Sequence, residues 1–596
     1  MINRLLHLLV LILLSFLTAC SREEVNNENT LFTTAGGKLL TLDPILASDL
    51  VSRDMVAEFY DTLLEYDYYT KPYKLKASML DAMPEVNRTF TEYKFRLRDD
   101  LYFVKDKCFS TNDRAERKIT SNDIVFSFMR LADARNYSPG YWILRGKIKG
   151  LDDFWHNSKK FRDGDLSNYD SLPLGFEILN DREFIIKLTK PDPRFLYMLA
   201  MPYTSIVSRR AVEYYRDDFH NHPVGSGPFI LSKWRKNHSL VLYRNDDYRE
   251  EYIMINSKRM RLPILDRVVC YLVEQPLSSW LMFLNGELDY ISLGKDNFDA
   301  VINKELKLIK PLQDMKVKLK QLPTFQVNYI GFSFSSQVLS NNLYLRKAIS
   351  LAYNTNKRVK FSNYRLIPAN GPIPPGVAGY DPEFINSYST YDIELAKELL
   401  SKAGYPGGID PKTGKPLVLT FDMGSTSSQA RQLAEMFVID MKKIGIEVKP
   451  YLNNKSRFNQ KLRNGNIQIF KYSWIGDYPD AENFLQLFYS KNAGGCNRAS
   501  YSDPIYDKMF EEVAIMPDSQ ERTQKYKVMV RYLAKNCPWI FESYPVSYSL
   551  EHYWLKNNIP HDFAFNRWKY IYVEEKTKRS LKQTFKPVSM SELRGN

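Results

Sequence analysis

Apolar and polar residues alternate with a two-residue period in several short stretches of the chain. EYKFRLRD at 92–99, REFIIKLT at 182–189, and the pair FILSKW and SLVLYRN between 229 and 245 read as half-buried strands. Elsewhere the period is helical. In TSNDIVFSFMRLADA, Thr120 with Asp123 three residues on has the form of a capping box with aspartate in place of glutamate. Ile124, Phe128 and Leu131 then share one face. In YDIELAKELLSKAG, Asp392 supplies the N-cap, Leu395, Ala396, Leu399 and Leu400 the apolar face, and Gly404 the stop. Strands and helices are mixed throughout, without internal repeat or low-complexity tract. That predicts an α/β or α+β fold.

One apolar run breaks the pattern. In MINRLLHLLVLILLSFLTAC, Arg4 precedes a largely apolar stretch from Leu5 to Phe16, too short to span a bilayer but right for the core of a signal peptide. It ends in Leu17-Thr18-Ala19-Cys20, which resembles a bacterial lipobox. The resemblance implies a lipoprotein signal peptide over 1–19, a diacylated Cys20 and a polar tether over 20–30. Ser21 and Arg22 follow the cysteine, so the usual aspartate signal for inner-membrane retention is missing. No later segment reaches 18 uninterrupted apolar residues. The expected arrangement is a soluble body held to a bacterial membrane by lipid, in the periplasm or on the outer cell surface.

At 596 residues the chain exceeds one core, and two or three domains are expected. Aromatic residues make up 14%, with 40 tyrosines, which suits recognition surfaces as well as cores. The net charge is +14, one unit less once Arg4 leaves, and it is spread along the chain. It reads as surface character, favouring an anionic membrane face and no nucleic-acid partner. Besides the acylated Cys20, the mature chain would keep Cys108, Cys270, Cys496 and Cys537; in an oxidising compartment these four can form one or two disulfides, and three full pairings are open. None has CxxC spacing, so redox and zinc roles are not expected. No HExxH, P-loop, GxGxxG or nucleophile elbow occurs. His220 and His222 lack a third ligand, and Gly225-Ser226-Gly227-Pro228 reads as a turn before a strand. No catalytic residue, metal or cofactor is expected.

Several motifs, in one order, resemble the family 5 solute-binding proteins of ABC importers, the oligopeptide- and dipeptide-binding class. They are TLDP (41–44), FYDTLLEYD (59–67), YKFRLRDDLYF (93–103), KITSNDIVFSFMR (118–130), GSGPFILSKW (225–234), GELD (286–289), LRKAISLAYN (345–354), GPIPPG (371–376) and YDIELAKELLSKAGYPGG (391–408). The resemblance implies a type II periplasmic-binding-protein fold of the large three-lobed form. Residues 31–67, 209–322 and 547–585 would build a discontinuous first ligand lobe. Residues 68–208 would form an inserted lobe and 323–546 the second ligand lobe, the two ligand lobes closing about a hinge. It also implies a monomeric, non-enzymatic receptor that hands a peptide, or another small ligand, to a membrane permease with ATPase subunits. Opine, polyamine, metal-chelate, haem and muropeptide ligands, and a surface adhesin role, stay open alternatives.

The segment KYSWIGDYPDAENFL, 471–485, sets two aspartates among aromatics. By itself it reads either as a pocket wall or as a loop docked by its rings. The resemblance matches it to the family's tryptophan-x-x-aspartate segment and implies that Asp477 holds a peptide's α-ammonium group, with Trp474 and Tyr478 walling the site. Lys471 stands where some relatives carry an arginine toward the peptide carboxylate, keeping the charge without the bidentate fork. Asp480 reads as a helix N-cap or surface residue. The charged loop KDKCFSTNDRAER, 105–117, is a departure from the family pattern.

Overall fold

A computed structural model describes residues 29–303, 305–584 and 593. The apolar leader, Cys20 and most of the tether lie outside the described residues. No described helix is long and apolar enough to cross a membrane.

The alternating stretches form strands where expected. FILSKW and SLVLYRN become the antiparallel pair Phe229–Arg235 and Ser239–Arg244, in a four-stranded sheet with Arg267–Leu272 and Thr30–Ala35. Thr30–Ala35 enters parallel to Arg267–Leu272, so the first strand is held by a partner more than two hundred residues away. Glu92–Arg96 and Glu183–Lys187 pair antiparallel in a second sheet, flanked by Glu85–Val86 and Phe176–Ile178. A larger mixed sheet of eight strands is organised by one long strand, Trp539–His552. Its first half pairs with Gln326–Phe332, and its second half with Val317–Pro323 and Tyr290–Ser292. Beyond Gln326–Phe332 lie Ile469–Ile475, then Val418–Met423 and Glu447–Leu452, the last three mutually parallel.

Helix ends follow local chemistry. The helix Ser121–Leu131 opens on a capping box in which Asp123 Oδ2 accepts from the Thr120 backbone N–H at 2.9 Å. Ile124, Phe128 and Leu131 are buried. The helix Ile393–Lys402 is capped by Asp392, whose carboxylate accepts from Leu395 N–H at 2.9 Å, and the chain leaves it through Gly404 at φ +91°. Leu395 departs from the expected face: it is exposed, because the third helical position points away from the core that Ala396, Leu399 and Leu400 meet.

The GSGP segment does more than turn. A Cβ on Gly227 would lie 2.4 Å from the carbonyl carbon of Phe59, and one on Gly225 would lie 2.2 Å from the Phe59 oxygen. Gly227 N–H donates to that oxygen at 2.9 Å. The glycines are there for close backbone approach to the end of the helix Leu50–Phe59. Gly227→Ala is expected to cost about 1–3 kcal/mol, because backbone atoms cannot rotate aside. A denaturant melt with an unchanged midpoint would show that the two segments separate freely.

The disulfide expectation is not met. All four described cysteines are free. Cys270 and Cys537 are buried in separate apolar clusters, where burial pushes their thiols up to about 12 and about 11. The two histidines stay local: His220 Nδ1 bonds Asp217 O, and His222 Nε2 bonds Asp218.

Candidate functional site

The strand Ile469–Ile475 carries the chain to the aspartate loop. Ile469 and Phe470 are buried, and Gly476 extends the pairing one step by donating to Phe325 O at 2.8 Å. A Cβ on Gly476 would meet the Phe325 ring at 2.2 Å, so glycine lets the loop lie flat on that ring. The chain then turns at Pro479 into the short helix Glu482–Leu485.

Asn483, fully buried, organises what the turn presents. Its Oδ1 accepts from Trp474 Nε1 at 2.9 Å and from Asp477 N–H at 3.1 Å, and its Nδ2 donates to Asp477 Oδ2 at 3.3 Å. One neutral amide therefore fixes both the tryptophan and the carboxylate. Asp477 is half-buried and has no ion pair within 4 Å among the described residues. Burial raises its pKa above the ordinary 3.8, against the Asn483 hydrogen bond and the field of Arg53. It is a positioned carboxylate short of a cation.

Three neighbours differ from expectation. Tyr478 is buried, its hydroxyl donates to Glu482 at 2.6 Å, and its ring stacks on Tyr197 with centroids 5.4 Å apart. It braces the loop against the segment around Phe195–Met198 instead of offering a face to a ligand. Lys471 is committed to Glu542, which is buried and also accepts from the Tyr353 hydroxyl. Burial by itself would raise Glu542, but Lys471, Tyr353 and Arg358 outweigh it and hold it below the ordinary value. The lysine neutralises an internal carboxylate, which takes it away from a ligand's. Asp480 is no surface residue: it is 4% exposed, paired with Arg522 at 2.9 Å and bonded by Tyr526 Oη at 2.8 Å. It does accept from Glu482 N–H at 2.8 Å, as a cap would.

A cavity of about 350 Å³ lies against the helix Leu50–Phe59, Tyr290 and the return segment 561–568. Arg53, on its wall, is the cation whose field reaches Asp477; Tyr203 lies in the field of both. Sequence reasoning missed Asn483 and Arg53. Asn483 follows the aspartate by six residues and carries no signal beyond its type, and Arg53 is one charged position on an ordinary amphipathic helix.

Comparison with known proteins places this fold. A solved ABC transporter-associated periplasmic binding protein DppA from Helicobacter pylori, in complex with peptide STSA, superposes with a TM-score of 0.66 at 22% identity, covering 91% of this chain and 98% of that one. The fold is the type II periplasmic-binding-protein fold. Heme-binding protein A of Haemophilus influenzae is 26% identical over 496 residues, 81% of this chain and 82% of the relative. Di/tripeptide-binding protein 2 of Pseudomonas aeruginosa is 24% identical over 489 residues, 80% and 83% of the two chains. The model for bacterial extracellular solute-binding proteins, family 5 Middle, matches residues 74–496. The chain belongs to the family 5 bacterial extracellular solute-binding proteins.

Proposed function

We propose that this protein captures peptides outside the cytoplasmic membrane and delivers them to an ABC permease, with Asp477 as the anchor for the ligand's ammonium group. The observation that carries the reading is the Asp477 carboxylate itself: held in place by Asn483, partly desolvated, and without an ion-pair partner within 4 Å among the described residues. A free N-terminal ammonium is a charge that all unmodified peptides carry, so such a group selects peptides without reading side chains. The names of relatives support the ligand class, one being a di/tripeptide-binding protein and another a structure holding the peptide STSA. Trp474, fixed by the same Asn483, would wall the site. The long strand Trp539–His552, shared between two sets of partners, would serve as a hinge about which two ligand lobes close. Transport energy would come from ATPase subunits, and the receptor, a monomer anchored through lipid at Cys20, would do no chemistry.

A haem reading is suggested by the relative named for haem. His561 lines the cavity, but its Nδ1 accepts from Phe563 and Ala564 N–H at 3.0 and 2.8 Å and its Nε2 faces Asp67 O at 3.3 Å. Both ring nitrogens are spent, so it is no axial ligand, and the peptide reading is kept. The test is to purify the protein natively, denature it and identify the released small molecules by mass spectrometry. Short peptides varied in sequence are expected; a single non-peptide species would overturn the ligand assignment.

A further inference from the structure

The place where the tether enters the body is ringed by basic side chains that the peptide reading does not use. Asn29, the first described residue, donates to Ile264 O and accepts from Val573 N–H at 3.0 Å, so the body begins beside the short antiparallel pair Leu555–Lys556 and Tyr572–Val573. Tyr553, two residues before that pair, is 42% exposed. Three ammonium groups stand around its ring: Lys556 at 4.0 Å from the centroid, Lys318 at 4.9 Å and Lys316 at 6.0 Å. Just beyond Val573 the helix Glu575–Thr584 begins, and it leaves Lys576 and Arg579, one turn apart, exposed. Lys578, between them, is buried over the Phe32 ring and paired with Asp289 at 2.8 Å, which fixes the face that the helix turns outward.

Acid groups do not balance this surface. Glu551 is buried and taken by Lys320 at 2.8 Å, with Lys318 at 4.0 Å. Glu574 pairs with Lys556 at 3.3 Å, and Glu575 is half-buried. Lys316, Lys576 and Arg579 have no carboxylate within 4 Å among the described residues. Crowding shows at Lys318: burial lowers its pKa, and Lys556 and Lys320 add to the shift against the pull of Glu551. Like charges held this close are relieved by an anion from outside. An exposed tyrosine among lysines suits the headgroup level of a membrane, where the ring finds apolar contact and the hydroxyl water. Asn29 follows Cys20 by nine residues, a length that extends to roughly 30 Å at most.

We propose that this face docks on the anionic headgroup surface of the membrane that holds the anchor, through Tyr553, Lys316, Lys318, Lys556, Lys576 and Arg579. The proposal rests on the lipid at Cys20 put forward above, which keeps the face within the tether's reach of the bilayer. Attraction between exposed charges acts within about 10 Å at 0.1 M salt, so a body confined that closely is drawn down onto the surface instead of ranging over the full tether. The consequence is orientation. Docked through one face, the body no longer tumbles about its anchor, and the loop that carries Asp477 keeps one height and direction above the bilayer.

The test is lysine footprinting. The full mature protein is reconstituted on vesicles of phosphatidylcholine, or of phosphatidylcholine with about one third phosphatidylglycerol, acetylated briefly and digested for mass spectrometry. Lys316, Lys318, Lys556 and Lys576 are expected to label roughly fivefold more slowly on the anionic vesicles than on the neutral ones, and about 1 M salt should remove the difference. Lys412, exposed on the segment 410–416, should label alike on both. Lys316→Glu combined with Lys576→Glu, two exposed positions outside any ion pair, should release Lys318 and Lys556 from protection and leave peptide affinity unchanged. Equal labelling on the two kinds of vesicle, or protection centred on Lys412, overturns the docking face. Protection by soluble tripolyphosphate but not by anionic vesicles also overturns it and assigns the patch to a small polyanion. Intact mass separates the anchor from the face. A chain without acyl groups overturns the anchor reading, and low-salt flotation with the anionic vesicles then decides the face: the same footprint supports it, and no flotation overturns it.

Discussion

Asp477→Asn is expected to weaken peptide binding at least tenfold, while the unliganded protein melts no lower than the parent. Asparagine keeps the shape and can still accept from Asn483, so the loop should hold. What goes is the charge facing the ligand's ammonium group. Leaving one member of a buried pair without its partner costs about 3–5 kcal/mol, and each 1.4 kcal/mol is about tenfold in affinity. The stability sign runs the other way. Burial raises the folded pKa of Asp477 above its ordinary 3.8, so the folded state favours the protonated form. Its contribution to stability is present at low pH and is lost as pH rises through the raised value. At neutral pH the ionised side chain is therefore a cost, which asparagine removes. Affinity needs the ionised form, so binding by the parent should fall as pH drops through that raised value, and the variant should lack this dependence. Titration calorimetry across pH, with scanning calorimetry on the unliganded proteins, reads both. Equal affinity of parent and variant at neutral pH would remove Asp477 from the site.

Lys569→Met is expected to destabilise the fold by about 3–5 kcal/mol, the usual result of stripping one partner from a buried ion pair. Lys569 is fully buried, and its ammonium contacts Glu65 at 2.8 Å and Glu251 at 3.1 Å. Around them, Lys76 pairs with both glutamates at 2.9 Å, and Arg249 with Asp61 at 2.7 Å and Glu251 at 3.0 Å. The cluster pins the C-terminal return of the chain to its first strands. Burial would raise both glutamates, but Lys569 leads the cations that outweigh it. Glu65 is held well below its ordinary value and Glu251 at about 2. Depressed carboxylates stabilise above their unfolded pKa, 4.5, and that stability drains as pH falls toward about 2. The variant should show a weaker acid dependence over that window as well as a lower midpoint in urea. A loss below about 1 kcal/mol would mean that desolvation of the cluster already offsets its attraction.

Much of the fold was legible because its determinants are local. Thr120 and Asp123, or Asp392 and Leu395, lie within one helical turn, so their hydrogen bonds follow from sequence spacing. Strand positions followed from alternation for the same reason. The segment 471–485 shows where legibility stops. Its rings and carboxylates allowed either a pocket wall or a docked loop; Tyr478 and Asp480 dock, while Asp477 has no ion pair within 4 Å among the described residues. Which residue does which depends on Tyr197 and Arg522, and no period in the sequence links them to the loop.

The sequence by itself determined many of the elements, their caps and the family, because each rests on neighbours along the chain or on motif order; the close approach of Gly225 and Gly227 to Phe59 did not follow from it. Tertiary structure alone decided how the charges are spent. Lys471 is consumed by Glu542, 71 residues away, and Lys569 by Glu65 across 504. Glu58 meets Trp568 across 510 residues, on the wall of a cavity that Arg53 and Arg567 also line. A charge's partner, and so its pKa and its freedom to bind a ligand, is set by three-dimensional proximity and by the water that burial removes.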